Sequence, residues 1–134
     1  MNLFIINTNK STNNRYEQEM IAEQKCSAYR STKTDISDIK KGDKVLLYSN
    51  EVGIIARGTA DGQLKRNEDN GEPDAEYYME LDEFYEYIRA IPYRRIVSIL
   101  KKAHPGYSKP FNVTSLKFSM PASKEIWGEI NKYV

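Results

Sequence analysis

Apolar and polar positions along this chain fall into runs that read as strands and helices in turn. Leu3-Phe4-Ile5-Ile6 is an unbroken apolar run that stops at Asn7-Thr8-Asn9, as a buried strand ending in three polar side chains does. Asn13 or Asn14 can cap a helix, and Asn14 with Glu17 three residues on has the form of a capping box. The spacing predicts a helix from about residue 15 to residue 26, with Tyr16, Met20 and Ile21 on its apolar side. Residues 31–37 are polar and read as a loop, with one helical turn expected over 35–39.

Lys41-Gly42-Asp43 is a turn leading into a hairpin. In its first strand Val45 and Leu47 take one face, Leu46 and Tyr48 the other. Both faces are apolar, which predicts a central strand covered on both sides. In the second strand Ile54, Ala56, Gly58 and Ala60 share a face where a helix or a ligand can come close. Residues 61–75 read as a protruding polar loop. Tyr77, Met79, Leu81, Tyr85 and Tyr87 then alternate with polar residues as in a long half-buried strand. A slip of phase near Glu83-Phe84 predicts a bulge. After Pro92 the pattern fits either a short helix or a strand. A short strand over 116–120 and a helix starting near Pro121, with Ile126, Ile130 and Tyr133 on one stripe, complete the chain.

At 134 residues this is expected to be one domain, long enough to bury roughly two-thirds of its unfolded surface without disulfide or metal. The N-terminal run reads as a strand, not a signal peptide, and no apolar run approaches a membrane span. The single cysteine, Cys26, excludes an internal disulfide and fits a reducing, cytoplasmic setting. With one Cys and one His, His104, a typical zinc site cannot be assembled. No cofactor is expected. The net charge is +1, but nine acids and no bases lie between Glu68 and Glu86, which leaves 20 bases against 10 acids elsewhere. Either one face is basic, as a nucleic-acid binder needs, or the acids fold back among the bases and cancel them.

In element order the chain resembles the PUA-like group of small β-barrels, and within it the EVE domain and its YTH relatives. The residues that carry the resemblance are Phe4-Ile5-Ile6-Asn7-Thr8-Asn9, the helix after them, Gly42-Asp43-Lys44-Val45-Leu46-Leu47-Tyr48-Ser49, and Gly53-Ile54-Ile55-Ala56-Arg57-Gly58. They cover about the first 62 residues; the rest agrees in element order. The resemblance implies an α+β fold, a PUA-like mixed β-barrel of five or six strands, closed or nearly closed, with flanking helices. It also implies a non-enzymatic reader that holds a base of DNA or RNA, modified by preference, in a pocket.

Carried over by position, Asn7, Thr8 and Asn9 are the polar lining of that pocket and Tyr29 its aromatic wall. Ser49 and Asn50 are the contacts at the end of the hairpin strand. Arg57 points into the pocket or pairs with an acid on the neighbouring strand. Arg30, Lys33, Lys65 and Arg66 are the candidate phosphate contacts. Such pockets usually carry tryptophans, whereas the only one here, Trp127, lies in the C-terminal helix. Two other readings stand beside this one. The same fold can bind a small molecule or a protein, or it can be an ASCH-like hydrolase working through Lys44, Asp43 and Tyr48.

Overall fold

The computed structural model describes residues 1–108, 111 and 113–133. Two strands with apolar side chains on both faces lie parallel and adjacent near the middle of the sheet: β1 (Leu3–Asn7) and β3 (Lys44–Ser49), with Leu3 opposite Lys44 and Asn7 opposite Tyr48. The pleat sends alternate residues to opposite faces. Leu3, Ile5, Leu46 and Tyr48 therefore enter one core, and Phe4, Ile6, Val45 and Leu47 a second. That division explains why neither strand alternates between apolar and polar: there is no wet face.

The other strands are β2 (Lys25–Tyr29), β4 (Gly53–Ala60), β5 (Lys65–Asp69), β6 (Glu72–Ile91) and β7 (Ser115–Phe118). They run in the order β2-β6-β4-β3-β1-β7, with β5 pairing β6. The sheet curls into a half-barrel with flanking helices. Its end strands β2 and β7 do not pair among the described residues, so it is more open than the near-closed barrel expected. Helices α2 (Tyr93–Ala103) and α3 (Ala122–Ile130) pack over the first core through Ile96, Ile99, Leu100, Ile126 and Ile130. Helix α1 (Asn14–Glu23) covers the second through Tyr16 and Met20.

Three expectations need correction. The helix ends at Glu23 rather than Cys26 because Gln24 takes left-handed backbone (φ 53°) and turns the chain into β2, whose five residues are all buried. Residues 30–38 form a 3-10 helix, Arg30–Asp38, rather than a plain loop. The supposed loop 61–75 is largely sheet, with β5 and the start of β6 joined at Asn70-Gly71 (φ 51° and 81°). Asn-Gly with two positive φ values is the strongest short-range hairpin signal a sequence offers, and it stood unread among polar residues.

The cap on α1 is Asn13, whose side chain accepts from Arg15 N–H at 3.0 Å. The bulge near Glu83 is present: Arg57 pairs with Tyr85 and Thr59 with Asp82, and Glu83 has φ 51°. The small-residue face of β4 is filled from β6, since a Cβ on Gly58 would lie 2.8 Å from the Leu81 Cβ. After Pro92 the chain is helical.

Gly53 and Gly71 separate two kinds of glycine. At Gly71 there is nothing within 4 Å of an added Cβ, so Gly71→Ala should cost only the left-handed backbone, about 1 kcal/mol. At Gly53, φ is 130° and an added Cβ would stand 2.0 Å from Ile91 O. Gly53→Ala should cost about 3 kcal/mol or more, because strain and overlap add. Urea denaturation of the two variants checks the ranking, and equal losses would contradict the register of β4 on β6.

Candidate functional site

The pleat that builds the two cores also divides the polar residues at the end of β1. Asn7 lies on the α2 side. Its Oδ1 accepts from Asn9 N–H at 2.8 Å, and its Nδ2 donates to Asn50 Oδ1 at 3.3 Å and Phe111 O at 3.5 Å. Asn50 in turn donates to Ser11 Oγ at 3.1 Å. Asn9 is half-buried, with φ 58°. Thr8 points instead at α1 and donates to Glu17 Oε1 at 2.7 Å. Ser49 is buried, and its hydroxyl has no hydrogen-bond partner among the described residues.

Tyr29 lies farther off, under a lid made by this chain itself. The Tyr16 ring stacks on it at 3.8 Å between centroids and 13° between planes. Tyr16 is held by its hydroxyl, which donates to Asp69 Oδ2 at 2.5 Å. Arg30 donates to the same oxygen at 2.8 Å and to Asp69 O at 3.2 Å, and Arg15 lies 3.5 Å from Oδ1. Burial pushes the Asp69 carboxyl up, but the bonds from Tyr16 and Arg30 and the two guanidinium charges outweigh it and hold it below its ordinary value. Burial raises the Tyr29 hydroxyl well above the usual tyrosine range, with Glu76 adding to the shift. A base could reach the covered face of Tyr29 only by displacing Tyr16.

The remaining candidate cations have local partners. Lys33 donates to Asp74 O at 2.8 Å and lies 4.8 Å over the Tyr77 ring, with Arg66 at 4.9 Å from the same ring. Lys65 pairs with Glu80. Arg57 meets no acid among the described residues. It lies 4.6 Å from the Tyr85 ring and 5.3 Å from the Tyr87 ring, and donates to Tyr87 Oη at 2.8 Å and Tyr133 O at 3.3 Å. A mid-sheet guanidinium thus ties the sheet to the segment that follows α3. Of the nine acids between Glu68 and Glu86, Asp69, Glu76 and Glu80 pair with bases. At these three positions the acidic run is cancelled by bases.

Lys44, Asp43 and Tyr48 do not converge. Asp43 accepts from Asn2 N–H and Lys40 N–H at 3.0 and 2.9 Å; Lys44 donates to Thr59 Oγ1 and covers the Trp127 ring; Tyr48 packs in the first core. Cys26 is buried, and burial pushes its thiol up to about 12, far from nucleophilic. Among the described residues no three His, Cys, Asp or Glu side chains group as metal ligands would. No described helix is long and apolar enough to cross a membrane.

An opening lies where Asn50 stands, at the end of β3 and the start of α2. It is an open cleft of about 1020 Å³. Three rings line it: Tyr48 and Tyr93 stand 4.8 and 5.2 Å from Phe111, both edge-on. Tyr48 and Phe111 are buried, while Tyr93 is 45% exposed. Arg94 and Arg95 form its lip. They sit in the first turn of α2, which has no acid and no capping side chain. Cations there oppose the helix dipole, so this turn is locally unfavourable unless an anion joins it. Tyr93 and Phe111 were missed in the sequence; Pro92-Tyr93-Arg94-Arg95, an aromatic and two cations at a helix start, was the available signal.

The Asp69 cluster makes a pH-dependent prediction. A carboxyl held below its unfolded value adds stability above that value and loses it as pH falls through the folded one. Asp69→Asn should therefore destabilise the protein at pH 7, and the gap to wild type should close as pH falls from about 4. Denaturation curves at pH 7 and pH 3 test it, and a gap independent of pH would show that the carboxylate charge contributes nothing.

No protein-family model matches the chain, and no curated protein matches it by sequence. Solved structures match it over nearly its whole length. The Mmi1 YTH domain is 9% identical, with a TM-score of 0.61 over 98% of this chain and 96% of that one. Rpa0253 from Rhodopseudomonas palustris is 11% identical, with a TM-score of 0.60 over 98% and 92%. PSPTO5229 from Pseudomonas syringae is 8% identical, with a TM-score of 0.59 over 97% of both chains. At such identities the likeness is one of fold: the chain has the mixed α+β architecture of the YTH domain.

Proposed function

We propose that this chain is a nucleic-acid-binding domain of the EVE type that takes a base of RNA or DNA, modified by preference, at the ends of β1 and β3. The observation that carries this reading is the cleft in which an exposed tyrosine ring and two arginines stand beside a side-chain amide. Tyr93 offers a stacking face, and Asn50 offers a donor and an acceptor to a base edge. Arg94 and Arg95 offer their charges to the flanking phosphates. The buried rings of Tyr48 and Phe111 give an apolar wall on which a methyl group loses no hydrogen bond. The fold likeness supports a nucleic-acid partner, since the Mmi1 YTH domain was also solved in complex with RNA. Asn7 acts here from behind, through its bond to Asn50.

Fluorescence titration of single-stranded RNA and DNA oligonucleotides, methylated and unmodified, tests the proposal. Tyr93→Ala should weaken binding by about 1–3 kcal/mol, the worth of one stacked base. Replacing both Arg94 and Arg95 by Ala should weaken binding to every sequence and flatten its salt dependence by about one to two counterions. Tyr29→Ala should leave binding unchanged; loss of binding there, with Tyr93→Ala silent, would move the base to the Tyr16–Tyr29 stack. Failure of all the oligonucleotides to bind would reject the function.

A further inference from the structure

The corner where β6 turns into α2 holds a second cleft beside the first. It measures about 390 Å³, and Arg89, Ile91 and Tyr133 are on its wall. Pro92 and Arg95 line both clefts, so the two are continuous across Pro92. The register explains how Arg89 comes to this wall. Ile54 lies opposite Ile91 and Ala56 opposite Glu86. One residue of β4, Ile55, therefore faces the four of β6 from Tyr87 to Ala90, and the surplus bulges out of the ladder. A bulge re-aims the side chains it carries. Ile88 is 90% exposed here, and Arg89 is exposed beside it.

The guanidinium groups of the chain divide into two sets. Arg15 and Arg30 pair with Asp69, Arg57 is bonded to Tyr87, and Arg66 lies over the Tyr77 ring. Arg89, Arg94 and Arg95 are exposed, and among the described residues their side chains make no ion pair and no hydrogen bond. These three surround the two clefts. The one acid among the described residues on either wall is Glu51, at the hairpin tip, which lines the first cleft and not the second. Glu86 stands on the ladder opposite Ala56, before the bulge. An anionic strand leaving the first cleft thus meets cations toward Pro92 and an acid toward the hairpin.

We propose, building on the nucleic-acid reading of the first cleft, that the second cleft is a subsite for the neighbouring nucleotide and that the ligand is a single strand. The strand crosses Pro92 with one phosphate at Arg95 and the next at Arg89, and the second nucleotide lies against Tyr133. Phosphate contacts fix register without reading sequence. This subsite therefore holds the strand while the first cleft holds the chosen base. A duplex does not suit the arrangement, because its paired and stacked bases cannot lay a face on Tyr93.

The test is calorimetric titration of the full chain with adenosine monophosphate and with dodecaadenylate, alone and paired with dodecauridylate. Wild type should bind the single strand more tightly than the monophosphate or the duplex. Arg89→Ala should weaken the single strand and lower the slope of log affinity against log salt by about 0.7, the share of one phosphate. It should leave the monophosphate, which fills the first cleft alone, as in wild type. Arg89→Lys keeps the charge and should keep the slope. Arg66→Ala removes the same charge elsewhere and should change neither ligand. Arg89 has no partner to lose, so its Ala variant should melt as wild type does; should it not, Arg89→Gln takes its place and decides. An unchanged slope in Arg89→Ala, with Tyr93→Ala weakening both adenylates, would overturn the subsite and leave the first cleft standing. Silence of Tyr93→Ala on both adenylates would remove the first cleft and the subsite with it. No binding of dodecaadenylate, tighter binding of the duplex, or an equal loss of slope in Arg66→Ala would each overturn the proposal as well.

Discussion

The parallel pairing of β1 with β3 is the constraint from which the rest of the molecule follows. Both strands are buried on both faces, so each face must be covered, and the chain supplies α2 and α3 for one and α1 with the 3-10 helix for the other. A one-residue slip in this pair would exchange the two sets of side chains between the two cores. The two cores are lined by different partners, α2 and α3 on one side and α1 with the 3-10 helix on the other. The observed register places Asn7 opposite Tyr48 where the strands end.

The second organising element is β6. Its first half pairs with β2 and β5, its second half with β4. The bulge at Glu83 lies inside the half that pairs with β4, between Asp82 opposite Thr59 and Tyr85 opposite Arg57, and bends the strand there. A buried ion pair sits where β2 meets β6: Lys25 Nζ is 2.9 Å from Glu76 Oε2, which also accepts from Ser27 Oγ at 2.7 Å. Burial alone would lower the Lys25 ammonium, but Glu76 outweighs it and the group titrates above its ordinary value. Replacing a buried ion pair with apolar residues is often neutral or stabilising, whereas removing one partner is costly. Loss of either partner alone would leave the other as an uncompensated buried group where β2 meets β6.

The polar side chains at the ends of β1 and β3 are connected to two different places. Asn7 and Asn50 belong to the cleft with Tyr48, Tyr93 and Phe111. Thr8, through Glu17, belongs to α1, whose Tyr16 covers Tyr29. One of these places is open and has cations at its lip; the other is closed by a network centred on Asp69. The difference in access, rather than in residue type, favours the first as the place where a ligand meets the protein.

The sequence by itself determined the elements whose pattern is self-contained. A two-faced apolar run marked β3 as central, an unbroken apolar run marked β1 as buried, the phase slip at Glu83-Phe84 marked the bulge, and the stripe through Ile126 and Ile130 marked α3. Their order made the chain resemble the PUA-like barrels, and the fold class came through that resemblance. The sequence did not expose β2, because Lys25 and Ser27 are buried only against Glu76, some 50 residues away, and no local pattern records such a partner. The hairpin at Asn70-Gly71 was written in the chain but masked by the polar residues of β5, which face solvent. Tertiary structure alone decided which candidate residues share a surface. Asn7 and Thr8 are neighbours in the chain and face opposite sides of the sheet, whereas Asn50, Tyr93 and Phe111 meet because β3, α2 and the segment before β7 converge there. Side-chain chemistry is local, but a site is a set of distances, and those are set by packing between distant segments.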